Sequence, residues 1–176
     1  MSGLAIAILA GGCFWCLQGL YDVEPGVVST QVGYIGGQVE NPTYEQVSTG
    51  TTGHYEAIKI EYDPKKVSSE RLMEIFWRNI DPTQANGQFN DIGPQYRTAI
   101  FVASDEERKK AEASREQLGQ TGKFKKPIVT EILPQTKFYP AEDYHEKYYQ
   151  KNPTHYNLYK EGSGRGPFIK KQWDGK

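Results

Sequence analysis

The feature that most constrains the fold is a short apolar run near the start of the sequence. Residues 4–10 read LAIAILA, and the glycine pair Gly11-Gly12 follows directly. A continuous apolar stretch of this length, ended by a turn signal, is typical of a β-strand that is buried on both faces. We therefore predict a buried strand, a turn at the two glycines and a helix after the turn.

Strand patterns and helix patterns alternate along the rest of the chain. Further strands are predicted at residues 27–35, 55–63, 97–103 and 128–133, and helices at about 13–23, 68–79, 104–119 and 141–150. The connections differ in kind, which favours an α+β two-layer sandwich with a mixed β-sheet over a doubly wound parallel fold. We expect a single domain over residues 1–176, in which a coil-like C-terminal tail, about 152–176, packs on the surface.

Composition and charge exclude several classes of function. The 176 residues, of which 37% are hydrophobic, suffice for one core, and 21 Lys and Arg against 22 Asp and Glu provide no basic surface for nucleic acid. No apolar segment reaches the length of about 18 residues that a membrane span requires. Two cysteines are too few for a disulfide scaffold. We expect a monomeric cytoplasmic protein without nucleic-acid or membrane partners.

The two cysteines lie together immediately after the predicted turn, in the sequence GGCFWC. At the N-terminus of a helix, Cys13 would lie near unpaired backbone N–H groups, which lower the pKa of a thiol and increase the thiolate fraction. Cys16 lies three residues further on the same helix face, so the two Cα atoms are expected about 5 Å apart, a distance that a disulfide can bridge. Phe14 and Trp15 between them resemble the wall of a small apolar pocket. The pair is therefore a candidate redox site.

A cysteine pair with this spacing also occurs in zinc sites and in thioredoxin-like oxidoreductases. Zinc would need two further ligands from His54, His145 and His155, and although His54 lies in the sequence HYE, the order of the elements differs from that of zinc deaminases. Thioredoxin-like proteins carry small residues or proline between the cysteines, whereas this chain has two aromatic residues there. A third alternative is a redox-sensing or disulfide-exchange module without a small-molecule substrate. We expect no metal and no cofactor.

Longer motifs along the chain match one known family. They are GCFWC at 12–16, NPTYEQV at 41–47, GTTGHYEAIKIEYDP at 50–64, FWRNIDPTQ at 76–84, NDIGPQYRTAIF at 90–101 and EILPQTKFYPAEDYHEKYY at 131–149. In this order, over roughly residues 5–150, the chain resembles the A-type peptide methionine sulfoxide reductases. The resemblance implies an α+β fold with a ferredoxin-like core, and an oxidoreductase that reduces methionine S-sulfoxide, free or in proteins, to methionine.

Sulfoxide reduction needs a thiolate that attacks sulfur and an acid that protonates the departing oxygen. The resemblance assigns these roles to Cys13 and Glu56, and burial among aromatic side chains would keep the Glu56 carboxyl protonated near pH 7. The resemblance also implies a set of residues around the substrate. Tyr44 and Tyr96 would hold the sulfoxide oxygen, and Phe14 and Trp15 would surround the methyl group. Asp91 in the polar loop 81–96 would orient the substrate, and His145 would lie nearby.

The second thiol is the point at which the chain departs from many members of this family. Many of them carry a resolving cysteine in a glycine-rich C-terminal tail, but the tail sequence EGSGRGPFIKKQW has none. Cys16 is therefore the internal candidate for a disulfide with Cys13 after the nucleophile has become a sulfenic acid. The resemblance implies thioredoxin as the reductant of that disulfide. The alternative is an external thiol that resolves the sulfenic acid directly.

Overall fold

The protein is built around a six-stranded β-sheet. The computed structural model describes residues 3–174. The strands are β1 (Ala5–Gly11), β2 (Val27–Ile35), β3 (Tyr55–Tyr62), β4 (Gly87–Gln88), β5 (Asp91–Ile92), β6 (Thr98–Val102), β7 (Glu131–Pro134) and β8 (Tyr139–Pro140). Six of them form the sheet in the order β7-β6-β1-β3-β2-β8, and β4 and β5 form a separate hairpin.

Helices cover the sheet and continue to the end of the described chain. They are α1 (Trp15–Asp22), α2 (Tyr44–Ser48), α3 (Ser69–Arg78), α4 (Asp105–Gln120), α5 (Tyr148–Lys151), α6 (Pro153–Gly162) and α7 (Arg165–Ile169). Two 3₁₀ turns at Pro94–Tyr96 and Asp143–His145 and a π-helical turn at Lys170–Asp174 complete the set. No helix within residues 3–174 is both long and apolar enough to cross a membrane.

Four of the strands form a ferredoxin-like core. In chain order this core is β1-α1-β2-β3-α3-β6, and in the sheet β6 lies beside β1, β1 beside β3, and β3 beside β2. All of these neighbours are antiparallel, as in the split βαβ arrangement. β7 follows α4 and pairs parallel with β6, so the sheet as a whole is mixed. The predicted α+β sandwich with a mixed sheet is confirmed.

The second half of β1, from Ile8, is buried on both faces as predicted, whereas Ile6 in the first half is 44% exposed. Successive side chains of a strand point to opposite faces of the sheet. Leu9 packs in the main apolar cluster with Leu17 of α1 and Phe76 of α3, whereas Ile8 and Ala10 pack in a second cluster. The end of β1 is therefore held from both sides, and the turn that follows starts from a fixed point.

Helices α3 and α4 begin where their capping residues predict. The Ser68 hydroxyl accepts the Arg71 N–H at 3.0 Å, and the Ser104 hydroxyl accepts the Glu107 N–H at 3.2 Å. Each bond satisfies one of the backbone donors that a helix leaves without a partner at its N-terminus. The two helices then place their apolar side chains in the main cluster.

The C-terminal part of the chain differs most from the sequence prediction. The predicted coil from residue 152 is wrong, because this segment forms α6, α7 and the π-helical turn. α6 buries no side chain completely, so its sequence has no apolar period that would reveal a helix. Polar and aromatic contacts hold α6 instead. The Asn90 amide donates to the Gly162 carbonyl at 3.0 Å, and the rings of Tyr149 and Tyr156 pack edge to face.

Three other predicted segments differ in detail. The helix predicted at 141–150 is a 3₁₀ turn followed by the short α5, because Lys147 between them adopts a left-handed conformation with φ +53. The strand predicted at 128–133 occupies Glu131–Pro134. The predicted loop 81–96 contains the β4–β5 hairpin and a 3₁₀ turn.

Candidate active site

The two-cysteine turn lies at the buried end of β1. Gly12 has φ +88, a conformation that glycine adopts without strain, and the Cys13 carbonyl then accepts the Cys16 N–H at 3.1 Å. The sequence prediction places Cys13 in the first turn of a helix, but α1 begins at Trp15 with Phe14 as its N-cap. Cys13 therefore precedes the helix, and both thiols are buried.

The surroundings of the pair favour a proton on Cys13 and a negative charge on Cys16. Burial, with contributions from Cys16 and from the charge of Glu56, raises the pKa of the Cys13 thiol well above its ordinary value. A hydrogen bond from Cys13 lowers the pKa of Cys16 to about 7 against the effect of burial, and the positive charge of Arg165 contributes. Burial therefore opposes the lowering of the Cys13 pKa that the sequence predicts from the nearby helix N-terminus.

Glu56 provides a buried carboxyl group beside this turn. It lies on the central strand β3, is 1% exposed, and accepts the Phe14 N–H through Oε1 at 3.2 Å. That N–H belongs to a helix N-terminus and would otherwise lack a partner. Burial raises the pKa of Glu56 to about 8, and the hydrogen bond from Phe14 opposes this rise only in part. The carboxyl group therefore keeps its proton at neutral pH, as a general acid requires.

Two tyrosines approach the same carboxyl group from separate segments. Tyr44 is the first residue of α2, and Tyr96 ends a 3₁₀ turn. Burial raises the pKa of Tyr44 to about 12, with contributions from the charges of Glu56 and Cys13. Burial and the charge of Glu56 also raise the pKa of Tyr96. Both hydroxyl groups therefore keep their protons and can donate hydrogen bonds near the thiol and the carboxyl group.

Phe14, Trp15 and His145 form an aromatic wall next to the thiols. The Trp15 Nε1–H donates to His145 Nδ1 at 3.0 Å, and the rings of Phe14 and His145 lie 5.1 Å apart. Burial lowers the pKa of His145, so its ring is neutral and carries its proton on Nε2. Trp15 also stacks on Tyr148 at 3.9 Å, and His145 lies 4.5 Å from the ring of Tyr44. His145 thus connects the aromatic wall to one of the two phenols.

Asp91 reaches the site from the β4–β5 hairpin. The hydroxyl of Tyr159 in α6 donates to Asp91 Oδ2. Burial raises the pKa of Asp91, while the bond from Tyr159 and the charge of Arg165 oppose that rise. The negative charge of Asp91 raises the pKa values of both Cys13 and Glu56. The structure therefore brings Asp91 to the site and holds it there through the C-terminal helix.

Three residues of the site escape the sequence analysis. Glu142 accepts the Tyr44 N–H at 2.8 Å and the Tyr34 hydroxyl at 2.9 Å, which fixes the start of α2. It lies in the motif stretch AEDYH, so the resemblance carried a signal for it. Tyr159 and Arg165 lie in the segment that reads as coil, and no local pattern marks them.

His54, considered above as a zinc ligand, has a structural role. Its Nδ1 accepts the Gly37 N–H at 3.1 Å, and its Nε2 lies 2.7 Å from the Val39 carbonyl oxygen. These contacts tie the loop after β2 to the start of β3. Because the backbone engages both ring nitrogens, neither is available to a metal ion.

Comparison with known proteins adds independent information. Residues 5–176 match the family model described as Peptide methionine sulfoxide reductase. A relative named Peptide methionine sulfoxide reductase MsrA, from Halalkalibacterium halodurans, is 57% identical over 167 residues, which make up 95% of this chain and 95% of that protein. Methionine sulfoxide reductase A of Corynebacterium diphtheriae has a solved structure that is 37% identical, with a TM-score of 0.76, and the match covers 87% of this chain and 77% of that one. The reduced form of Mxr1 from Saccharomyces cerevisiae is 33% identical with a TM-score of 0.79, and the match covers 85% and 86%.

Buried thiols that meet a protonated carboxyl group on a ferredoxin-like sheet provide the chemistry of a thiol-dependent oxidoreductase. The family match extends this conclusion over nearly the whole chain. The chain belongs to the peptide methionine sulfoxide reductase family, and both the A type and the enzyme class predicted from the sequence are confirmed.

Proposed function

We propose that the protein reduces methionine S-sulfoxide, free or within proteins, with Cys13 as the nucleophile and Glu56 as the proton donor. The observation that carries the proposal is the state of the Glu56 carboxyl group. It is buried, it keeps its proton up to a pH of about 8, and it is bonded to the N–H of Phe14, the residue after Cys13. A sulfoxide oxygen has to be protonated before it leaves, so a protonated acid beside a thiol meets the main requirement of this reaction.

The first half-reaction transfers oxygen from the substrate to the enzyme. The Cys13 sulfur attacks the sulfoxide sulfur while Glu56 donates its proton to the oxygen. This attack forms a bond between the two sulfur atoms. The hydroxyl group then passes from the methionine sulfur to the Cys13 sulfur as the S–S and S–O bonds of the methionine sulfur break, so that methionine leaves with the electron pair and Cys13 becomes a sulfenic acid. The thiol proton of Cys13 replaces the proton that Glu56 has donated, so this step consumes no other reactant.

Tyr44 and Tyr96 support this step through hydrogen bonds to the sulfoxide oxygen, which stabilise the charge that moves onto it. These bonds also increase the positive charge on the substrate sulfur. A positive centre beside Cys13 favours its thiolate, which offsets the raised pKa of this thiol in the protein without substrate. Phe14 and Trp15, the latter oriented by His145, would hold the methyl group.

Asp91 would orient the rest of the substrate through polar contacts. Its carboxylate has two acceptor oxygens, and the Tyr159 hydroxyl contacts one of them, Oδ2. The other oxygen can accept a hydrogen bond from a substrate N–H group. This placement supports a role in binding rather than in proton transfer.

The second half-reaction regenerates the nucleophile. The Cys16 thiolate attacks the sulfur of the sulfenic acid, the S–S bond forms as the S–O bond breaks, and the hydroxide that leaves is protonated to water. The lowered pKa of Cys16 supports this role. A thioredoxin would then reduce the disulfide; Mxr1 is known in a complex with Trx2, and the proposal extends such a partner to this chain. We place the reaction in a cytoplasmic monomer.

The intact mass of the enzyme after one equivalent of methionine S-sulfoxide, without reductant, tests the proposal. We expect one methionine per enzyme and a mass lower by two hydrogens, and turnover with dithiothreitol for the S but not the R sulfoxide. Absence of turnover would leave only a redox-sensing module. One methionine together with a stable sulfenic acid and an unreacted Cys16 would instead assign the second half-reaction to an external thiol.

A further inference from the structure

Arg165 carries a buried positive charge that the oxygen-transfer chemistry does not explain. It is the first residue of α7 and is 1% exposed. Among the ion pairs of residues 3–174, none involves its guanidinium group. Because burial of a charge without a charged partner costs free energy, a use for this charge near the active site has to be considered.

The guanidinium group is fixed against the backbone that leads into the two-cysteine turn. Nη2 donates to the Gly11 carbonyl and Nη1 to the Asn79 carbonyl, both at 2.8 Å. The guanidinium carbon, Cζ, lies 4.9 Å from the centre of the Phe89 ring. A Cβ atom at Gly12 would lie only 2.6 Å from Nη2, so the backbone next to the nucleophile approaches the charge as closely as glycine allows. The charge therefore has a defined position.

The titratable and charged groups that act on the Cys16 sulfur come from several elements: Cys13, Glu56, Asp91, Tyr156, Tyr159, Lys160 and Arg165. Two of them, Lys160 and Arg165, favour its thiolate through positive charge, and Asp91 opposes it. Lys160 is partly exposed, so solvent and salt screen its charge. Arg165 is buried, and a guanidinium group stays charged at every accessible pH.

We propose that Arg165 is a positioning residue for the resolving step, in which its fixed charge keeps Cys16 available as the thiolate that attacks the sulfenic acid on Cys13. The inference rests on the proposed function of Cys16. In this step the S–S bond forms, the S–O bond of the sulfenic acid breaks, and the departing hydroxide takes a proton from solvent and becomes water. Because the thiolate is the nucleophilic form, removal of the charge slows disulfide formation more than it slows oxygen transfer.

Three variants separate the charge of Arg165 from its packing. Arg165→Met keeps most of the side-chain length without the charge, and Arg165→Lys keeps the charge. Lys170→Met removes one charge from an exposed position on the following turn and controls for net charge. Each protein reacts with one equivalent of methionine S-sulfoxide without reductant from about pH 5 to 9. Quenched samples report methionine by chromatography and the disulfide by intact mass.

We expect disulfide formation to follow a pH profile with a midpoint near 7 in the wild type and in Lys170→Met. In Arg165→Met the midpoint should move upward by about one pH unit, which slows disulfide formation at pH 6 about tenfold. Arg165→Lys should restore most of the wild-type profile. Methionine formation in the first turnover should change less than disulfide formation in Arg165→Met, whose charge also acts on Asp91, and should change little in the other two variants.

Each other outcome has a defined meaning. An unchanged disulfide profile in Arg165→Met, with normal methionine formation, overturns the inference and leaves the proposed function intact. Equal slowing of methionine and disulfide formation identifies Arg165 as a structural anchor and also overturns it. A wild type that forms no methionine refutes the proposed function itself. Methionine without a disulfide in the wild type removes Cys16 from the mechanism, and the inference with it.

If Arg165→Met does not fold, the ultraviolet absorbance of the thiolate against pH tests the same inference. A wild-type midpoint near 7 that persists in Arg165→Lys and disappears in Cys16→Ser supports it. A wild-type midpoint at or above about 8.5, the ordinary value for cysteine, overturns it.

Discussion

Two regions of the molecule hold the active-site residues in different ways. The sheet region contributes Cys13 and Glu56, which lie at the end of β1 and within β3, where strand pairing on both sides of β3 fixes their positions. The C-terminal region, residues 152–174, contributes Tyr159 and Arg165 from α6 and α7. No side chain of α6 is fully buried, and polar and aromatic contacts hold it in place.

The difference indicates how the chemistry is divided. A shift of Glu56 would require a shift of the strands that form the core, and Cys13 follows the last residue of β1 by only two positions. The C-terminal groups act on that site through Asp91 and Cys16. We infer that the sheet region determines the rate of the first turnover, whereas the C-terminal region affects substrate binding and recycling.

The largest effect is expected from Cys13→Ser. A serine hydroxyl is similar in size but is a weak nucleophile without an activating base, so we expect no methionine, with or without dithiothreitol. Circular dichroism and thermal unfolding should show a retained fold. Cys16→Ser, which changes the other buried thiol in the same way, is the matched control. If Cys13→Ser formed methionine at the wild-type rate, Cys13 of the sheet region would not be the nucleophile.

Glu56→Gln should have the second largest effect. The amide keeps the size and can still accept the Phe14 N–H, but it has no acidic proton. General acid catalysis contributes about 10²–10⁴-fold, and we expect a loss of that order in the single-turnover rate, with substrate binding little changed. Glu61→Gln, on the same strand but partly exposed, is the control. An undiminished rate in Glu56→Gln would place the acid elsewhere.

The same variant should also change how stability depends on pH. Burial raises the pKa of Glu56 from 4.5 to about 8, so the folded state binds this proton more tightly than the unfolded state does. Below pH 4.5 the tighter binding of this proton makes its whole contribution to the free energy of unfolding, and this contribution is lost as the pH rises to about 8. Glu56→Gln avoids this loss and should gain stability relative to the wild type across that range.

The expected gain is on the order of a few kcal/mol, because one pKa unit corresponds to about 1.4 kcal/mol. Denaturant unfolding at several pH values measures it. A constant difference between the two proteins from pH 5 to 8 would show that Glu56 is not held protonated by burial. The rate of the first turnover in the wild type should fall above pH 8 for the same reason.

The two regions also differ in what the sequence reveals. Local signals suffice to predict β1 and its turn, since the apolar run and the glycine pair that follows it are both visible in the sequence. Glu56 required a motif, because nothing local shows that a carboxylate on a strand is buried. The high pKa of Cys13 arises from burial by distant segments, which local position at a helix start does not reveal.

The C-terminal region lacks both kinds of signal. α6 has no buried apolar face, so the 3.6-residue period that marks most helices is missing. Its stability depends on partners far along the chain, as in the contact of Tyr159 with Asp91, 68 residues apart. The same applies to Arg165, whose acceptor Gly11 lies 154 residues away. Contacts of this kind become visible only in the folded molecule.

Tyr159→Phe tests the C-terminal region with a small change. It removes the hydroxyl that donates to Asp91 and leaves the ring that packs against Trp15. One hydrogen bond contributes about 1 kcal/mol net, so we expect KM to rise about fivefold while the first-turnover rate at saturating substrate is kept. Tyr149→Phe, which removes a phenol–carboxylate bond to Asp22, is the control. A lower first-turnover rate at saturating substrate, with an unchanged KM, would contradict the proposed division of roles between the sheet region and the C-terminal region.

Cys16→Ser should have the smallest effect on the first turnover, because it retains both the nucleophile and the acid. One methionine per enzyme is expected, and the product is a sulfenic acid on Cys13. With thioredoxin the variant should then stall, since thioredoxin thiols would have to reach a sulfenic acid that lies buried beside Phe14 and Trp15. Dithiothreitol is small enough to enter and should restore part of the turnover.

Thiol counting on the wild type after oxidation by substrate completes this test. Because Cys16 lies in the first turn of α1, its sulfur reaches Cys13 only if that turn adjusts to the dihedral angle that a disulfide requires. Loss of both thiols with a mass lower by two hydrogens would show that the turn does adjust. If Cys16→Ser recycles with thioredoxin as fast as the wild type, the sulfenic acid is open to an external thiol. The C-terminal region would then have no resolving cysteine to act on, and only its contact with Asp91 would connect it to the reaction.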